Sequence, residues 1–318
     1  MAESSENVLL KEIDDICKLA KLQNGTLKQV ANDLLGSSAE PSCPKVGKLL
    51  PLVALILSIS VALVLRKDIL VAVFGTTERC IISNNPLIME LGRPLADCTM
   101  CQSLDVVSVY QNISRAEFAD KFAYSNIPIL IKNGTSGWST SIFSYNFFRQ
   151  LYMDTPGALE KTEQECQFFE YNTNIETLSE FFEMSDDRAA LKEDSWYIGW
   201  SNCDPTVGSI LRNNYRQPWF LPRNVAEEVD ELDWIFMGGP GPGAFIHLDH
   251  VEKTSWQAQL SGTKTWTLIP PPECEAVCKT LEVTVHTGDI IVVNTNKWYH
   301  ATYIHQGNMS ITIGSEFD

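Results

Sequence analysis

From residue 232 onward the chain is a succession of short apolar runs: LDWIFM, AFIHLD, TSWQAQL, TKTWTLI, LEVTVH, DIIVVN and NMSITIG. Most alternate apolar with polar positions, and Gly, Pro, Asn or Asp separates them. That is the signature of strands with one buried face. The gaps are too short for the helices that join parallel strands, so the pattern predicts a sandwich or closed barrel. Residues 104–232 are mixed. Ser114 is followed three residues later by Glu117, a capping-box start for a helix over 114–123. A strand is predicted over 127–132 (IPILIK), ended by Asn133-Gly134. Helices are predicted over 144–152 and 175–184, and a strand over 194–200 (DSWYIGW).

The N-terminal third follows other rules. Residues 1–35 are charged, with apolar residues at helical spacing (Leu9, Ile13, Ile16, Ala20), and read as a partly helical tail. Residues 36–44 read as a Gly/Ser/Pro linker. Residues 49–65 (LLPLVALILSISVALVL) carry no charge and are bounded by Lys48 and by Arg66 and Lys67. As a helix they span roughly 25 Å, close to a thin bilayer's hydrocarbon core. The competing reading is a buried core helix. The expected organisation is a cytosolic tail and linker over 1–48, a single transmembrane helix over 49–67, a Cys-containing stem over 68–103, and one domain over 104–318.

Basic residues flank the apolar run on both sides, so charge alone does not orient it. Seven of the nine cysteines follow residue 79, as do the sequons at Asn112, Asn133 and Asn308, against one sequon at Asn24 before the run. This distribution favours a lumenal (ER or Golgi) or extracellular C-terminal part. With seven cysteines, at least one there has no partner within that part. Cys98-Thr-Met-Cys101 is the sole CxxC, a weak zinc signal by itself. The net charge of −16 and pI near 4.7 argue against direct nucleic-acid binding. A basic peptide or a small anion held by a local positive group is compatible with it. The apolar content of 44% and eight Trp suffice for a packed core.

His247 and Asp249 lie two apart on a predicted strand, so alternation puts both on one face. His300 follows before another strand. Two His and one carboxylate can cap one face of a metal ion and leave three positions open, as in non-haem Fe(II) oxygenases. The triplet alone does not separate that from a hydrogen-bonded strand pair. Ser261-Gly262 predicts a tight hairpin between the two runs around it. That register pairs Gln259 with Lys264 and Gln257 with Trp266. It places Ser255, Gln257, Gln259, Lys264, Trp266 and Leu268 on one face, and Trp256, Ala258 and Leu260 on the other with Thr263, Thr265 and Thr267. Lys264 is then either a solvated strand lysine or an interior lysine that needs an anion beside it.

On these residues the chain resembles a known family. Residues 238–272, GGPGPGAFIHLDHVEKTSWQAQLSGTKTWTLIPPP, look like the metal-binding core of the JmjC, or cupin-like, oxygenases. Residues 287–303, TGDIIVVNTNKWYHATY, resemble its second half, and FADKFAYSNIPILIKNG its entry segment. The resemblance is strongest over 232–316 and does not extend over 1–100. It implies a mostly β fold with flanking helices: a double-stranded β-helix (jelly-roll) core, here with one N-terminal transmembrane helix. It implies Fe(II) on His247, Asp249 and His300, with 2-oxoglutarate and O2 as co-substrates. It also implies that Lys264 binds the distal carboxylate of 2-oxoglutarate, that Thr312 supports it, and that Gln257 lies near the metal. The implied activity is hydroxylation or demethylation of a protein side chain. One departure stands at Ala244, where many members carry a hydroxyl residue. The alternatives are a catalytically silent cupin-like ligand- or partner-binding membrane protein, and a cupin isomerase or lyase. The last has more His ligands and no need of the barrel lysine. No role is assigned to His250, His286 or His305.

Overall fold

Short strands in this chain find partners far away in sequence, and two sheets result. A computed structural model describes residue 90 and residues 93–171, 173–222, 232–251 and 253–317. The predicted tail, linker, membrane helix and most of the stem therefore lie outside the described residues. Among the described residues, no helix is long and apolar enough to cross a membrane.

In chain order the elements are β1 (Ser108–Tyr110), α1 (Arg115–Lys121), β2 (Ile129–Ile131), α2 (Tyr145–Asp154), α3 (Ala158–Glu165), β3 (Phe168–Glu170), α4 (Leu178–Glu183), α5 (Asp186–Ala189), β4 (Tyr197–Asn202) and α6 (Pro205–Arg212). Then come β5 (Asp233–Gly238), β6 (Gly241–Pro242), β7 (Thr254–Ser261), β8 (Thr263–Ile269), β9 (Leu281–His286), β10 (Ile290–Val293), β11 (Tyr299–Ile304) and β12 (Ser310–Phe317). The helices begin where polar side chains cap them. Ser114 accepts from Glu117 N, Ser144 from Phe147 N, Thr177 from Glu180 N, and Asp204 from Val207 N ahead of Pro205. Each such cap contributes about 1 kcal/mol.

Eight strands form one sheet in the order β1-β2-β10-β7-β12-β5-β4-β3, and four form the other in the order β6-β11-β8-β9. The helices cover the outer face of the large sheet. There Trp256, Ala258, Leu260, Ile198 and Trp200 pack with Phe118, Phe148 and Phe181. Between the sheets, Trp266, Leu268, Val283 and Val285 meet Leu130, Ile291 and Val293. The fold is thus mostly β with helices on one side, as expected.

The predicted β7–β8 hairpin does not form. β7 pairs with β10 and β12, and β8 pairs with β9 and β11. Gly262 makes a corner between sheets instead. Its φ is +74°, and a Cβ there would come within 2.8 Å of Asn308 O and 2.9 Å of Met309 O. A hairpin turn and an inter-sheet corner place the same demand on local backbone, so the local sequence cannot tell them apart. The predicted face assignment fares better. Lys264, Trp266 and Leu268 are buried, while Thr263, Thr265 and Thr267 are half-exposed. Gln257 and Gln259 share the inner space with Lys264, but reach it from the opposite sheet. A β-bulge between Ile311 and Thr312 sets Thr312 opposite Gln259, re-aiming its hydroxyl.

The expected strand over 244–249 is also absent. Only an isolated bridge, His247 with His300, stands there. The preceding Gly-Pro-Gly-Pro-Gly run explains the break, since each proline removes a ladder donor.

Disulfides join Cys98 to Cys274, Cys101 to Cys278, and Cys166 to Cys203. The CxxC cysteines are thus halves of two neighbouring disulfides rather than free thiolates. Arg93 grips Glu273 with two 2.7 Å bonds and holds its carboxyl down at about 2, while Ala96 N donates to the same group at 2.7 Å. By chain entropy the first of the two adjacent disulfides closes the long loop and the second adds little.

Candidate metal centre

His247 and Asp249 sit on the irregular segment after β6, and His300 is the second residue of β11. The bridge between His247 and His300 is made by backbone bonds in both directions, 3.1 and 2.9 Å, so the two backbones are locked side by side. Asp249 N donates to Thr295 O at 3.0 Å, anchoring the carboxylate segment to the loop before β11. The imidazole centroids stand 4.2 Å apart. His247 Nε2 lies 3.3 Å from Asp249 Oδ1, and His300 Nε2 lies 3.8 Å from Asp249 Oδ2.

The outer nitrogens set the tautomers. His247 Nδ1 is 2.7 Å from Phe245 O and His300 Nδ1 is 3.1 Å from Trp298 O. Each carbonyl calls for N–H at Nδ1, which leaves the Nε2 lone pairs turned toward the shared point. Burial lowers the His300 pKa to about 4, so this ring is neutral at physiological pH. For His247, burial works against charge, but the hydrogen bond and charge of Asp249 outweigh it and raise its pKa. For Asp249, burial works the other way from its histidine neighbours, which hold the pKa below the ordinary carboxylate value. Two imidazole nitrogens and a carboxylate converging on one point, with both rings in the ligating tautomer, fit a divalent transition metal. The Asp249 side chain is one-third exposed and that of His300 is 5% exposed, so the centre is open on the Asp249 side.

Lys264 lies on β8, wholly inside. Its Nζ donates to Thr312 Oγ1 at 3.0 Å and, more weakly, to Gln257 Oε1 at 3.4 Å and Tyr197 Oη at 3.5 Å. It stands 5.2 Å from the Trp266 ring centroid and 5.8 Å from that of Phe236. Among the described residues no carboxylate pairs with it, and burial lowers its pKa to about 7. Trp266 links the two regions, with its ring stacked 5.5 Å from His300. Among the described residues its buried indole N–H has no hydrogen-bond partner. The structure therefore brings Lys264, Thr312 and Gln257 together, next to the cluster of His247, Asp249 and His300.

Four contributors carry no role assigned from the sequence, although its alternation already places Gln259 on the face of Lys264. Tyr197 came from a strand whose faces could not be assigned without its neighbours. Gln259 donates to Ser310 Oγ at 2.8 Å and accepts from Thr312 Oγ1 at 3.3 Å. Tyr171 lies 5.8 Å, ring to ring, from both His247 and Tyr197. Thr302 could have been found, since it is two residues after His300 on one strand face. Its hydroxyl accepts from Ala244 N at 2.9 Å, putting a hydroxyl beside the position where Ala244 lacks one. His250 is exposed, while His286 and His305 approach the hydroxyls of Thr263 and Thr265 away from the site.

The chain is similar to several curated proteins. It is 25% identical over 175 residues to arginine-specific demethylase JMJ22 of Arabidopsis thaliana, covering 52% of this chain and 31% of that protein. It is 22% identical over 270 residues to the 2-oxoglutarate and iron-dependent oxygenase JMJD4 of Danio rerio, covering 66% and 60%. Arginine-specific demethylase JMJ20 of Arabidopsis thaliana matches at 22% over 194 residues, covering 52% and 42%. The chain thus spans between about a third and three fifths of the length of these relatives. A family model described as a cupin-like domain matches residues 114–282, more than half of the chain, which runs from the first capped helix through the triplet with His247 and the strand of Lys264. The chain belongs to the cupin-like domain family.

Proposed function

We propose that this chain is an Fe(II)- and 2-oxoglutarate-dependent oxygenase acting on a polypeptide side chain. The observation that carries the reading is a pairing of two sites inside one barrel. His247, Asp249 and His300 offer a facial donor set, and Lys264 offers a buried ammonium with no carboxylate beside it. An unpaired charge in such a place is costly unless a ligand supplies the anion. A carboxylate there would accept from Lys264 and Thr312, and the unpartnered Trp266 N–H stands ready for a further acceptor. Iron on the triad would supply activation of dioxygen, coupled to oxidative decarboxylation of 2-oxoglutarate. Gln257, whose Oε1 lies 3.4 Å from Lys264 Nζ, would orient the co-substrate, and Thr302 would stand in for the side chain that Ala244 lacks. The names of the relatives, an iron- and 2-oxoglutarate-dependent oxygenase and two arginine-specific demethylases, support the same reading. The test is succinate formation from 2-oxoglutarate by the purified chain. Iron-dependent succinate is the expected result. A chain that binds 2-oxoglutarate but forms no succinate with iron and oxygen would be a silent binding protein.

We further propose a single-pass membrane protein with residues 1–48 cytosolic and the domain lumenal or extracellular. Three disulfides favour an oxidising compartment, and Asn112, Asn133 and Asn308 are all exposed, as a glycan requires. Protease added to sealed membranes should remove only the N-terminal tail, and glycosidase should increase the mobility of the remainder. Digestion of the domain without detergent would overturn this orientation.

A further inference from the structure

We propose that Thr295 is a positioning residue for the metal: its hydroxyl turns onto Asp249 when the triad loads and holds that carboxylate as a one-oxygen ligand. The proposal rests on the oxygenase reading. A carboxylate with both oxygens on the metal would take one of the three positions that 2-oxoglutarate and dioxygen need.

A sealed hydroxyl without a partner is rare, because it gives up water's hydrogen bonds and gains none in return. Thr295 is 1% exposed, and among the described residues its Oγ1 makes no hydrogen bond. It stands in the turn between β10 and β11, and that turn is pinned on several sides. Lys297 N and Trp298 N both donate to Asn294 O, at 3.0 and 3.1 Å. Asn294 Oδ1 accepts from Asn296 N at 3.1 Å, and Asn294 Nδ2 donates to Asn126 Oδ1 at 2.6 Å. Trp298 Nε1 donates to Asn126 O at 2.9 Å. The segment that carries Asp249 is laid along this turn. Asp249 N donates to Thr295 O at 3.0 Å, and Val251 N donates to Asn296 Oδ1 at 2.9 Å. The residue with the orphaned hydroxyl is therefore bonded, backbone to backbone, to the residue that carries the ligating carboxylate.

The contacts of that carboxylate give the hydroxyl its use. Asp249 holds one oxygen toward each imidazole, Oδ1 at 3.3 Å from His247 Nε2 and Oδ2 at 3.8 Å from His300 Nε2. A metal on the three donors takes both Nε2 lone pairs and so ends both contacts. One carboxylate oxygen then binds the metal, and the other needs a new donor. The Thr295 hydroxyl already acts on this group. Burial pushes the Asp249 carboxyl up, His247 and His300 draw it down, and Thr295 adds to the downward pull. A hydroxyl hydrogen rotates to suit its acceptor, so the bond can form while the turn stays pinned. Water at the exposed side of Asp249 is the competing donor, and it predicts that the hydroxyl has no effect.

The test is Mn(II) titration of the full chain in detergent, with a thermal melt before metal is added. Thr295→Val keeps the side chain's shape and removes the hydroxyl, whereas Thr295→Ser keeps the hydroxyl. Thr295→Val should weaken Mn(II) binding about 10- to 100-fold. Its metal-free melting temperature should be no lower than that of the unmutated chain, because a buried hydroxyl without a partner has been removed. Thr295→Ser should restore most of the affinity. Thr162, on α3, is also buried with an unpartnered hydroxyl among the described residues. Thr162→Val makes the same chemical change outside the cluster and should leave Mn(II) affinity within about twofold. With Mn(II) saturating, 2-oxoglutarate should bind Thr295→Val more weakly, because the released carboxylate can turn both oxygens to the metal. Unchanged Mn(II) affinity in Thr295→Val, an equal loss in Thr295→Ser, or a matching loss in Thr162→Val would each overturn the proposal. So would a lowered melting temperature in Thr295→Val, which marks a packing role, or unchanged 2-oxoglutarate affinity. Absence of succinate from the unmutated chain, with the Mn(II) effects intact, would instead sink the oxygenase reading and leave the hold of Thr295 on Asp249 standing.

Discussion

Asp249→Ala abolishes metal binding and succinate formation while the domain stays folded. The carboxylate supplies one of three donors, and it is the one that touches both imidazoles. Without it, two histidines remain on a backbone bridge that still holds them side by side. Two neutral nitrogens bind Fe(II) or Mn(II) far more weakly than a set that includes a carboxylate, and the expected loss of turnover exceeds about a hundredfold. The side chain is one-third exposed, so truncation leaves no sealed void. The apo thermal transition should then move by no more than a surface ion pair is worth, about 0–1 kcal/mol. His247→Ala should behave alike. His300→Ala is a poorer probe, because that side chain is buried and its ring stacks on Trp266. Mn(II) titration, a thermal melt and a succinate assay on the same preparation check the result. Succinate at the unmutated rate from either variant would rule out the triad.

Lys264→Met weakens 2-oxoglutarate binding by roughly 30- to 1,000-fold, the loss of a charge-assisted pair worth about 2–4 kcal/mol. Metal affinity should change little, because Lys264 is no member of the donor set. The pH dependence makes the assignment sharper. With its pKa lowered to about 7, the lysine in the empty barrel is charged below that pH and mostly neutral above it. A bound carboxylate favours the ammonium, so above about pH 7 binding takes up a proton. Affinity should be flat below that point and fall up to about tenfold per pH unit above it. Lys264→Met should remove the slope. The stability linkage has a definite sign as well. The unfolded lysine keeps its proton to about pH 10.4 while the folded one loses it near 7, so the unfolded state binds more protons in between. The empty domain therefore gains stability as pH rises across that window, and Lys264→Met should flatten this gain too. Calorimetric titration of 2-oxoglutarate in two buffers of different ionisation enthalpy measures the proton uptake. Unchanged affinity, or no linked proton, would remove Lys264 from the co-substrate site and with it most of the case for a 2-oxoglutarate enzyme.

Local physics made several features legible without coordinates. Ser114 caps its helix as its spacing to Glu117 predicts, because a side-chain oxygen reaching a backbone N–H three residues on is a local event. The alternation in TKTWTLI put Lys264, Trp266 and Leu268 on one buried face because a strand's period is two, whatever its partner. Residue type and spacing made His247, Asp249 and His300 candidates, and the family resemblance singled them out as a ligand set. Tertiary structure decided what depends on partners distant in sequence. Gly262 reads as a hairpin turn, but the hydrogen bonds of β7 and β8 are taken by strands up to about sixty residues away, and the glycine became a corner. The Gly-Pro run spoiled the strand that would have carried His247 and Asp249. Their convergence came instead from the backbone bridge to His300 and the anchor on Thr295. Tyr197 and Gln259 joined Lys264, and Thr302 came to stand beside Ala244, because two sheets face each other across the core. Alternation fixes a side chain's face within its own strand, but which face looks inward, and at what, is set by how the sheets pack.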